Sequence, residues 1–480
     1  MPNVRGSSLK VLSVVAVFAV LISSAFAQSI QTLKHQAPDG AQLTFQLTDG
    51  TVLAQGYGDS DWWKLTPDNT GSYVNGTWTQ VASLPTGYSP EAFASAVLAD
   101  GRLLITGGEY NYLNFTLTNL GAIYDPAANT WTNLLPPKSW KYIGDSPATV
   151  LPNGNFLVGN KLTTKMQQYT PSTGKWTSRP PKGKQDFDAE EGWTLLADGT
   201  ILTADVLDAP NSEIYSGKHW TTAGSTIVDL HSPSPFGCIQ YGPKGKKCYY
   251  PPGEIGPQIL RPDGTVFVAG SYTSTGSGAG HTAVYDSLTG KWTAGPDFPN
   301  GDNAGDSFAA LLPNGDVLVE GDSGRGYLFD GTHLTATDSV PGSLMVLPTG
   351  QILVGGGEVY NGPGTYQTSW QPAITTCPTT ITRGSTYSIS GTQFNGLSQA
   401  NAFGDEYQTA TNYPLVRITN NSTSHVFYAK THGHSTMGVA TGSAIVSTNF
   451  DVSAATETGP STLEVVANGI SSAPFSVTVQ

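Results

Sequence analysis

The chain has 480 residues and a formal net charge of −13, and only 12% of its residues are charged. This length exceeds what one small core requires and predicts two or more domains, while the acidity excludes nucleic acid and anionic membrane surfaces as partners. Glycine (56 residues) and proline (32) are abundant, but an aromatic content of 10% excludes a disordered chain and favours short strands joined by tight turns.

Residues 1–27 have the pattern of a secretory signal peptide. Arg5 and Lys10 precede an apolar run over residues 11–22, and Ala-Phe-Ala at residues 25–27 forms a small-residue cleavage site. The alternative, a membrane anchor, is disfavoured because the apolar run is too short to span a bilayer comfortably. We therefore expect a secreted protein, extracellular or periplasmic. We also expect it to be a monomer.

A hairpin motif recurs seven times in the chain that follows. Each copy joins two apolar runs through a turn that contains glycine, as in LTDGTVLAQG and LPNGDVLVEG. The turn glycines are Gly50, Gly101, Gly154, Gly199, Gly264, Gly315 and Gly350. Asp-Gly and Asn-Gly between apolar runs predict a turn of type I′, in which both central residues have positive φ.

Four of these copies continue with a tyrosine and then a tryptophan, as in YDPAANTWT and YDSLTGKWT. The pairs are Tyr124 and Trp131, Tyr169 and Trp176, Tyr215 and Trp220, and Tyr285 and Trp292. Each unit therefore has about four strands in roughly 50 residues, which is the period of a propeller blade, and it resembles a kelch repeat. Residues 28–372 are predicted to form seven such blades, with the N-terminal stretch IQTLKH as the missing fourth strand of blade seven.

Residues 373–480 have a different pattern. Segments such as STLEVVANGISSAPFSVTVQ contain alternating strands but lack the hairpin motif. They predict an immunoglobulin-like β-sandwich. The predicted fold class is therefore all-β, with a seven-bladed kelch-type β-propeller followed by an immunoglobulin-like β-sandwich.

Acidic residues stand before the first strand of most blades. They are Glu91, Asp145, Glu190, Glu191, Glu254, Asp306 and Asp338, in blades two to seven. The first strand of a propeller blade lines the central channel, so these carboxylates are predicted to surround one mouth of the channel. Asp145, Glu190 and Asp306 each stand eight residues before the Asp or Asn of their hairpin turn, which predicts that they lie at one height.

Three interpretations of this acidic mouth remain open. Carboxylates within about 6 Å of one another raise each other's pKa or recruit a cation, and oxygen ligands favour Ca²⁺ or Mn²⁺. The candidate metal ligands are Glu191, Glu254 and Asp306. Alternatively, the mouth binds a carbohydrate or another polar ligand, or it is a solvated rim whose acids cap loop amides and aid solubility.

The three cysteines lie outside the early blades. Cys238 and Cys248 share one loop between blades four and five, GCIQYGPKGKKC, and are predicted to form a disulfide in a secreted protein. Cys377 is then left over, and we expect it to be a buried free thiol.

The signal peptide, the seven kelch-type blades and the C-terminal domain together resemble the architecture of galactose oxidase and related copper radical oxidases. The resemblance implies that a loop of the C-terminal domain enters the propeller channel. In that family two tyrosines and two histidines hold copper there, and one tyrosine is cross-linked to a cysteine. The stretch FGDEYQTATNYPLVRI at residues 403–418 corresponds to this loop, and Tyr407 falls close to the family's histidine.

The copper ligands of that family are not matched. Before the inner strands of two blades the family has a tyrosine and a Tyr-His pair, whereas this chain has SPEAFASAV and DSVPGSLMV. Copper radical chemistry is therefore not expected. We predict a binding protein for a carbohydrate or other polar small molecule at the acidic mouth, near Tyr407. The enzyme alternatives are an oxidase or a glycoside-acting enzyme with Glu190 and Glu254 as acid and base.

Overall fold

The computed structural model describes residues 28–57, 60–233, 239–241, 247–249, 253–272, 279–404 and 407–480. Residues 1–27, Cys238 and the side chain of Cys248 lie outside this part, so the signal peptide and the disulfide stay predictions. Cys377 is a free thiol, as expected, but it is half-buried rather than buried, and burial raises its pKa to about 11. No helix among the described residues has the length and apolar character to cross a membrane.

Four-stranded antiparallel sheets dominate the described chain up to residue 361, and we call them blades one to seven. The strands of blade one are Leu43–Gln46, Val52–Gln55, Trp62–Thr66 and Thr77–Gln80. Those of blade two are Ala94–Val97, Leu103–Thr106, Gly121–Asp125 and Thr130–Asn133. Those of blade three are Ala148–Val150, Phe156–Asn160, Thr163–Thr170 and Lys175–Arg179. The strands of blade four are Thr194–Leu195, Ile201–Ala204, Asn211–Tyr215 and Trp220–Ser225. Those of blade five are Gln258–Leu260, Thr265–Ala269, Thr282–Asp286 and Lys291–Ala294. Those of blade six are Ala309–Leu311, Val317–Glu320, Arg325–Phe329 and Leu334–Ser339.

Blade seven takes its fourth strand from the N-terminal end of the described chain. Its strands are Leu344–Val346, Ile352–Val354, Glu358–Asn361 and Ser29–Thr32. Ser29 pairs with Asn361 and Thr32 with Glu358, which confirms the predicted role of the stretch IQTLKH. The first strand of blade seven also contacts the first strand of blade one, so the sheets close around a common axis. The predicted all-β propeller fold is therefore present.

The hairpin turns differ from the predicted type. The seven turn glycines have φ between 78° and 91°, but the Asp, Asn or Thr before each glycine does not have positive φ. In the first copy the Gly50 amide donates to the Leu47 carbonyl, and the Leu47 amide donates to the Thr51 carbonyl. This is a type I turn followed by a left-handed glycine, so type I′ was wrong. Asp49 caps the turn because its carboxylate accepts from the Thr51 amide at 3.0 Å.

The recurring tyrosines and tryptophans pair across the two outer strands of their blades. Tyr124 lies opposite Trp131 with ring centroids 5.1 Å apart, and Tyr169 lies opposite Trp176 at 5.2 Å. The indole of Trp131 donates to the carbonyl of Ala82, after the last strand of blade one, at 2.9 Å. The indole of Trp176 similarly donates to Leu135 after blade two, at 2.7 Å. The motif therefore stabilises each blade and joins it to the preceding blade.

The chain from residue 373 contributes one nine-stranded sheet. Its strands are Ala373–Thr376, Thr380–Ile381, Thr386–Thr392, Leu415–Asn420, Val426–His432, Val446–Asp451, Gly459–Ala467, Ile470–Ser471 and Phe475–Val479. Side chains from both halves of the sheet, such as Ile389, Phe450, Val416 and Leu463, share one buried core. The immunoglobulin-like class of this region stays a prediction.

Short elements complete the described structure. They are strands at Pro90–Glu91, Tyr110–Asn111, Asn114–Phe115, Ile239–Tyr241, Lys247–Tyr249 and Asn401–Ala402, and 3₁₀ turns at Pro299–Gly301 and Thr368–Trp370.

Candidate functional site

A segment of the C-terminal region fills the propeller channel, as the resemblance implied. We call residues 398–404 and 407–413 the channel segment. Its strand Asn401–Ala402 pairs with the inner strand of blade six. Inner strands are sheet edges with unpaired backbone groups, and buried amides of the channel segment satisfy several of them. Gln399 accepts from the Leu195 amide at 2.9 Å, and Asn401 accepts from the Val346 amide at 2.9 Å.

Tyr407 lies in this channel segment and is 8% exposed. Its hydroxyl accepts a hydrogen bond from the Ala92 amide, at the start of blade two, at 2.8 Å. Its ring packs edge-on against Phe93, with centroids 5.2 Å apart, and against Phe403 at 5.1 Å. Tyr407 therefore joins the channel segment to the mouth through a hydrogen bond and ring contacts, and its role in ligand binding stays a prediction.

A buried lysine organises two of the predicted carboxylates. Lys161 is fully buried and ion-pairs with Asp145 and with Glu190. Its ammonium group also lies 3.6 Å from a carboxylate oxygen of Glu109. We call these four residues the Lys161 cluster. The equal spacing of Asp145 and Glu190 from their hairpin turns therefore predicted correctly that the two carboxylates meet, but not that a cation of the protein lies between them.

The sequence does contain a signal for Lys161. Residues that follow the second strand of a blade return to the same mouth as the residues that precede the first strand. Lys161 stands seven residues after Gly154, just as Asp322 stands seven residues after Gly315. A search of these positions for residues of either charge would have found the lysine, whereas we considered only acids.

Glu254 and Asp306 lie beside the Lys161 cluster on its more open side. Glu254 is half-buried and Asp306 is exposed. Burial, and then the negative charge of Glu190, raise the pKa of Glu254 to about 7, although Lys161 and a hydrogen bond with Asp306 act in the opposite direction. Burial also raises the pKa of Glu109. The negative charge of Glu190 adds to this rise, and the positive charge of Lys161 opposes it. Among these groups, Glu254 therefore titrates near neutral pH.

Glu191 belongs to a second group of charged residues, around Lys184. It therefore does not join Glu254 and Asp306 in the predicted metal site. The ammonium of Lys184 lies 2.8 Å from Glu191 and 2.9 Å from Glu213, pairs with Asp186, and is 3.9 Å from Asp205. Among the described residues, Asp186, Glu191 and Asp205 are the carboxylates close enough to share a cation. The predicted set of Glu191, Glu254 and Asp306 therefore does not converge. The lysine already supplies positive charge where Glu191 lies.

Burial dominates the proton equilibria around Lys184. It raises the pKa of Asp188 to about 8 and that of Asp205 to about 8, against the attraction of Lys184. It would by itself lower the pKa of Lys184, but the surrounding carboxylates, Glu191 and Asp186 foremost, raise that pKa well above its ordinary value. Charged lysine and partly protonated carboxyl groups therefore coexist in this cluster at neutral pH.

The backbone conformation explains why Glu190 and Glu191, although adjacent in sequence, contact different lysines. Glu190 has φ of +55°, so the chain turns sharply between residues that face Lys161 and Lys184. Ala92 and Asp306 have φ of +50° and, like Glu190, stand eight residues before the Asp or Asn of their hairpin. Left-handed conformations at residues other than glycine are strained, and such strain clusters at binding and catalytic sites. Blades two, four and six thus share one strained position at the mouth.

Two predicted acids have other surroundings. Glu91 is half-buried and accepts a long hydrogen bond from Gln42 at 3.4 Å, and it is not among the described ion-pair partners of Lys161. Asp338 is exposed in Leu334–Ser339, the outermost strand of blade six, so its predicted position at the mouth was wrong. Asp338 belongs to this outer strand and not to residues 340–343, which lead into the inner strand of blade seven.

The mouth does not fit the copper ligands of the oxidases that the architecture resembles. Blade two begins with Glu91, Ala92 and Phe93, and the channel segment supplies Tyr407 among phenylalanine rings. Blade seven begins with Pro-Gly-Ser at residues 341–343. These residues offer one tyrosine and one carboxylate but no imidazole, so they do not form a site of two tyrosines and two histidines.

No family model matches the chain. A solved fungal alcohol oxidase of the AA5 family, in complex with copper, is similar with a TM-score of 0.50 and 13% identity, over 94% of this chain and 98% of that one. Virginiamycin B lyase from Staphylococcus aureus has a TM-score of 0.45 and 12% identity, over 70% of this chain and 98% of that one. The first similarity shows a shared fold and nothing more.

One curated protein shares sequence with the chain over a limited stretch. Kelch-like protein terF of Aspergillus terreus is 27% identical over 122 residues, which are 22% of this chain and 26% of that protein. The match thus covers about a quarter of the relative's length. Together with the blade topology, it supports a kelch-type propeller.

Proposed function

We propose that the chain binds a carbohydrate or another polyhydroxylated molecule at the channel mouth. The observation that carries the proposal is the Lys161 cluster, in which a buried lysine orders Asp145 and Glu190 beneath the half-buried Glu109. Glu254 and Asp306 extend the same surface toward solvent. Sugar hydroxyl groups donate to carboxylates, so a surface formed by Glu109, Glu254 and Asp306 above the buried Lys161 suits a sugar. The strained residues of blades two, four and six support a site held in a fixed shape.

Calorimetric titration with neutral mono- and disaccharides tests this proposal. We expect at least one sugar to bind the wild type and to raise its melting temperature, since a ligand at a hundred times its Kd stabilises a fold by about 2.7 kcal/mol. Glu109→Gln/Glu254→Gln should weaken binding at least tenfold. Asp338→Asn is the matched control, because its carboxylate is exposed on an outer strand. Equal affinity in both variants would place the ligand elsewhere.

The pKa of Glu254 favours a second candidate, a glycoside-acting enzyme. A carboxyl group with a pKa of about 7 is protonated often enough near neutral pH to act as a general acid. Glu190, ion-paired to Lys161, is the neighbouring carboxylate that would stabilise positive charge on the sugar ring. In this case Glu254→Gln abolishes release of reducing sugar while it leaves substrate binding within about threefold of wild type. Binding without any hydrolysis by the wild type would exclude the candidate.

A further inference from the structure

A separate cavity of about 200 Å³ opens beside the Lys161 cluster. Asn160 and Thr163 line the cavity, and Lys161 lies between them in the turn that joins the second and third strands of blade three. The mouth and the cavity therefore lie on either side of one short turn. The cavity is large enough for a molecule of monosaccharide size.

The wall of the cavity is charged oppositely to the mouth. Lys141 and Lys165 line it and are exposed, while the described residues that line it include no carboxylate. This contrasts with a chain whose net charge is −13. Asp188 lies behind the wall, where its carboxylate faces the Asn160 amide at 3.5 Å, but its pKa of about 8 keeps it largely protonated near neutral pH.

Polar and aromatic groups of the wall are held in place. The side-chain amide of Asn160 donates to the Tyr142 carbonyl at 2.7 Å and accepts from the Thr163 hydroxyl at 3.1 Å. Trp140 and Tyr142 also line the cavity, with Trp140 only 9% exposed. Aromatic rings beside fixed polar groups are a usual arrangement in pockets for small polar ligands.

We propose that this cavity binds the carboxylate of an acidic sugar, a hexuronate, whose neutral hydroxyl groups face the mouth. The inference rests on the proposed function and names its ligand class. Lys141 and Lys165 attract the anion, whereas the carboxylates around Lys161 at the mouth repel it. Attraction at one end and repulsion at the other together select the ligand and its orientation.

Titration with D-galacturonate and D-glucuronate, each compared with galactose and glucose, tests the inference. We expect the acids to bind at least tenfold more tightly than the neutral sugars, and the difference to shrink as salt screens the lysines. Lys141→Gln/Lys165→Gln should abolish the preference for the acids and leave binding of neutral sugars unchanged. The matched control is Lys175→Gln/Lys291→Gln, which removes two exposed lysines of outer strands.

The outcomes separate this inference from the proposed function. Equal affinity for acidic and neutral sugars, or failure of both acids to bind at millimolar concentration, overturns the inference. Neutral-sugar binding that depends on Glu254 would leave the proposed function intact in that case. Conversely, uronate binding that requires Lys141 and Lys165 but not Glu109 or Glu254 would support the cavity as the binding site and overturn the proposed function at the mouth.

Discussion

At the scale of single residues, Lys161 holds the buried carboxylates of the mouth together. It is fully buried between Asp145 and Glu190, so its removal leaves two buried carboxylates without a counter-charge. Breaking a buried ion pair from one side costs about 3–5 kcal/mol. We expect Lys161→Met to lower the free energy of unfolding by that amount in urea titrations. Lys175→Met, on an exposed outer-strand position, should change it by less than about 0.5 kcal/mol.

A small effect of Lys161→Met would contradict this account. If the unfolding free energy falls by less than about 1 kcal/mol, the carboxylates are already neutral or hydrated, and the lysine does not order them. Adding Asp145→Asn and Glu190→Gln to Lys161→Met then provides the internal check. In the ion-pair account these neutral amides recover part of the lost stability.

The sequence predicted some of these residues and missed others for identifiable reasons. Asp145 and Glu190 share one spacing from their turns, and this placed them together correctly. Glu191 follows Glu190 directly, but the left-handed backbone at Glu190 turns the side chain of Glu191 toward Lys184. This could not be predicted, because no sequence pattern indicates that a glutamate adopts positive φ. Lys161 and Lys184 were missed because only acids were considered at the mouth.

At the scale of elements, the channel segment links the C-terminal region to the propeller, and Tyr407 tests its importance. Tyr407→Phe removes the hydrogen bond with the Ala92 amide and should cost about 0.5–1.5 kcal/mol. Tyr407→Ala also removes the packing against Phe93 and Phe403 and should cost about 3–5 kcal/mol. Urea titrations of both variants and the wild type measure these costs. Equal costs for the two variants would show that the ring contacts do not stabilise the channel segment.

The repeating elements were more predictable than their details. The spacing of the turn glycines gave the strand pairs, and Tyr124 and Trp131 face each other as their recurrence suggested. The turn type was wrong because Asp49 favours the ordinary α region when its carboxylate caps the following amide, so the glycine alone adopts positive φ. The contacts of Gln399 and Asn401 with the inner strands could not be predicted, since they join residues distant in sequence.

At the scale of the whole molecule, the buried carboxyl groups make stability depend on pH. Asp188 and Asp205 have pKa values of about 8 in the fold, whereas an unfolded aspartate has a pKa of about 3.9. The fold therefore holds protons that the unfolded chain releases. Their stabilising contribution is complete below about pH 4 and is lost as the pH rises through about 8.

We therefore expect the melting temperature to fall between pH 5 and pH 9. Asp188→Asn should reduce this fall, because the amide resembles the protonated acid at every pH. Asp338→Asn is the control, and its melting curve should depend on pH as the wild type does, since Asp338 is exposed. A melting temperature that rises steadily over this range would contradict the raised pKa values.

The overall architecture followed from the sequence because the repeats specify strands and turns locally, and the strand Ser29–Thr32 closes the ring as predicted. The site depends instead on how separate blades bring their charges together. The most direct test of its function is a crystal structure of the protein soaked with the tightest-binding sugar. We expect electron density for the sugar in contact with Glu109, Glu254 or Asp306. Density only on the outer faces of the blades or on the C-terminal sheet, with an empty mouth, would contradict the proposed binding site.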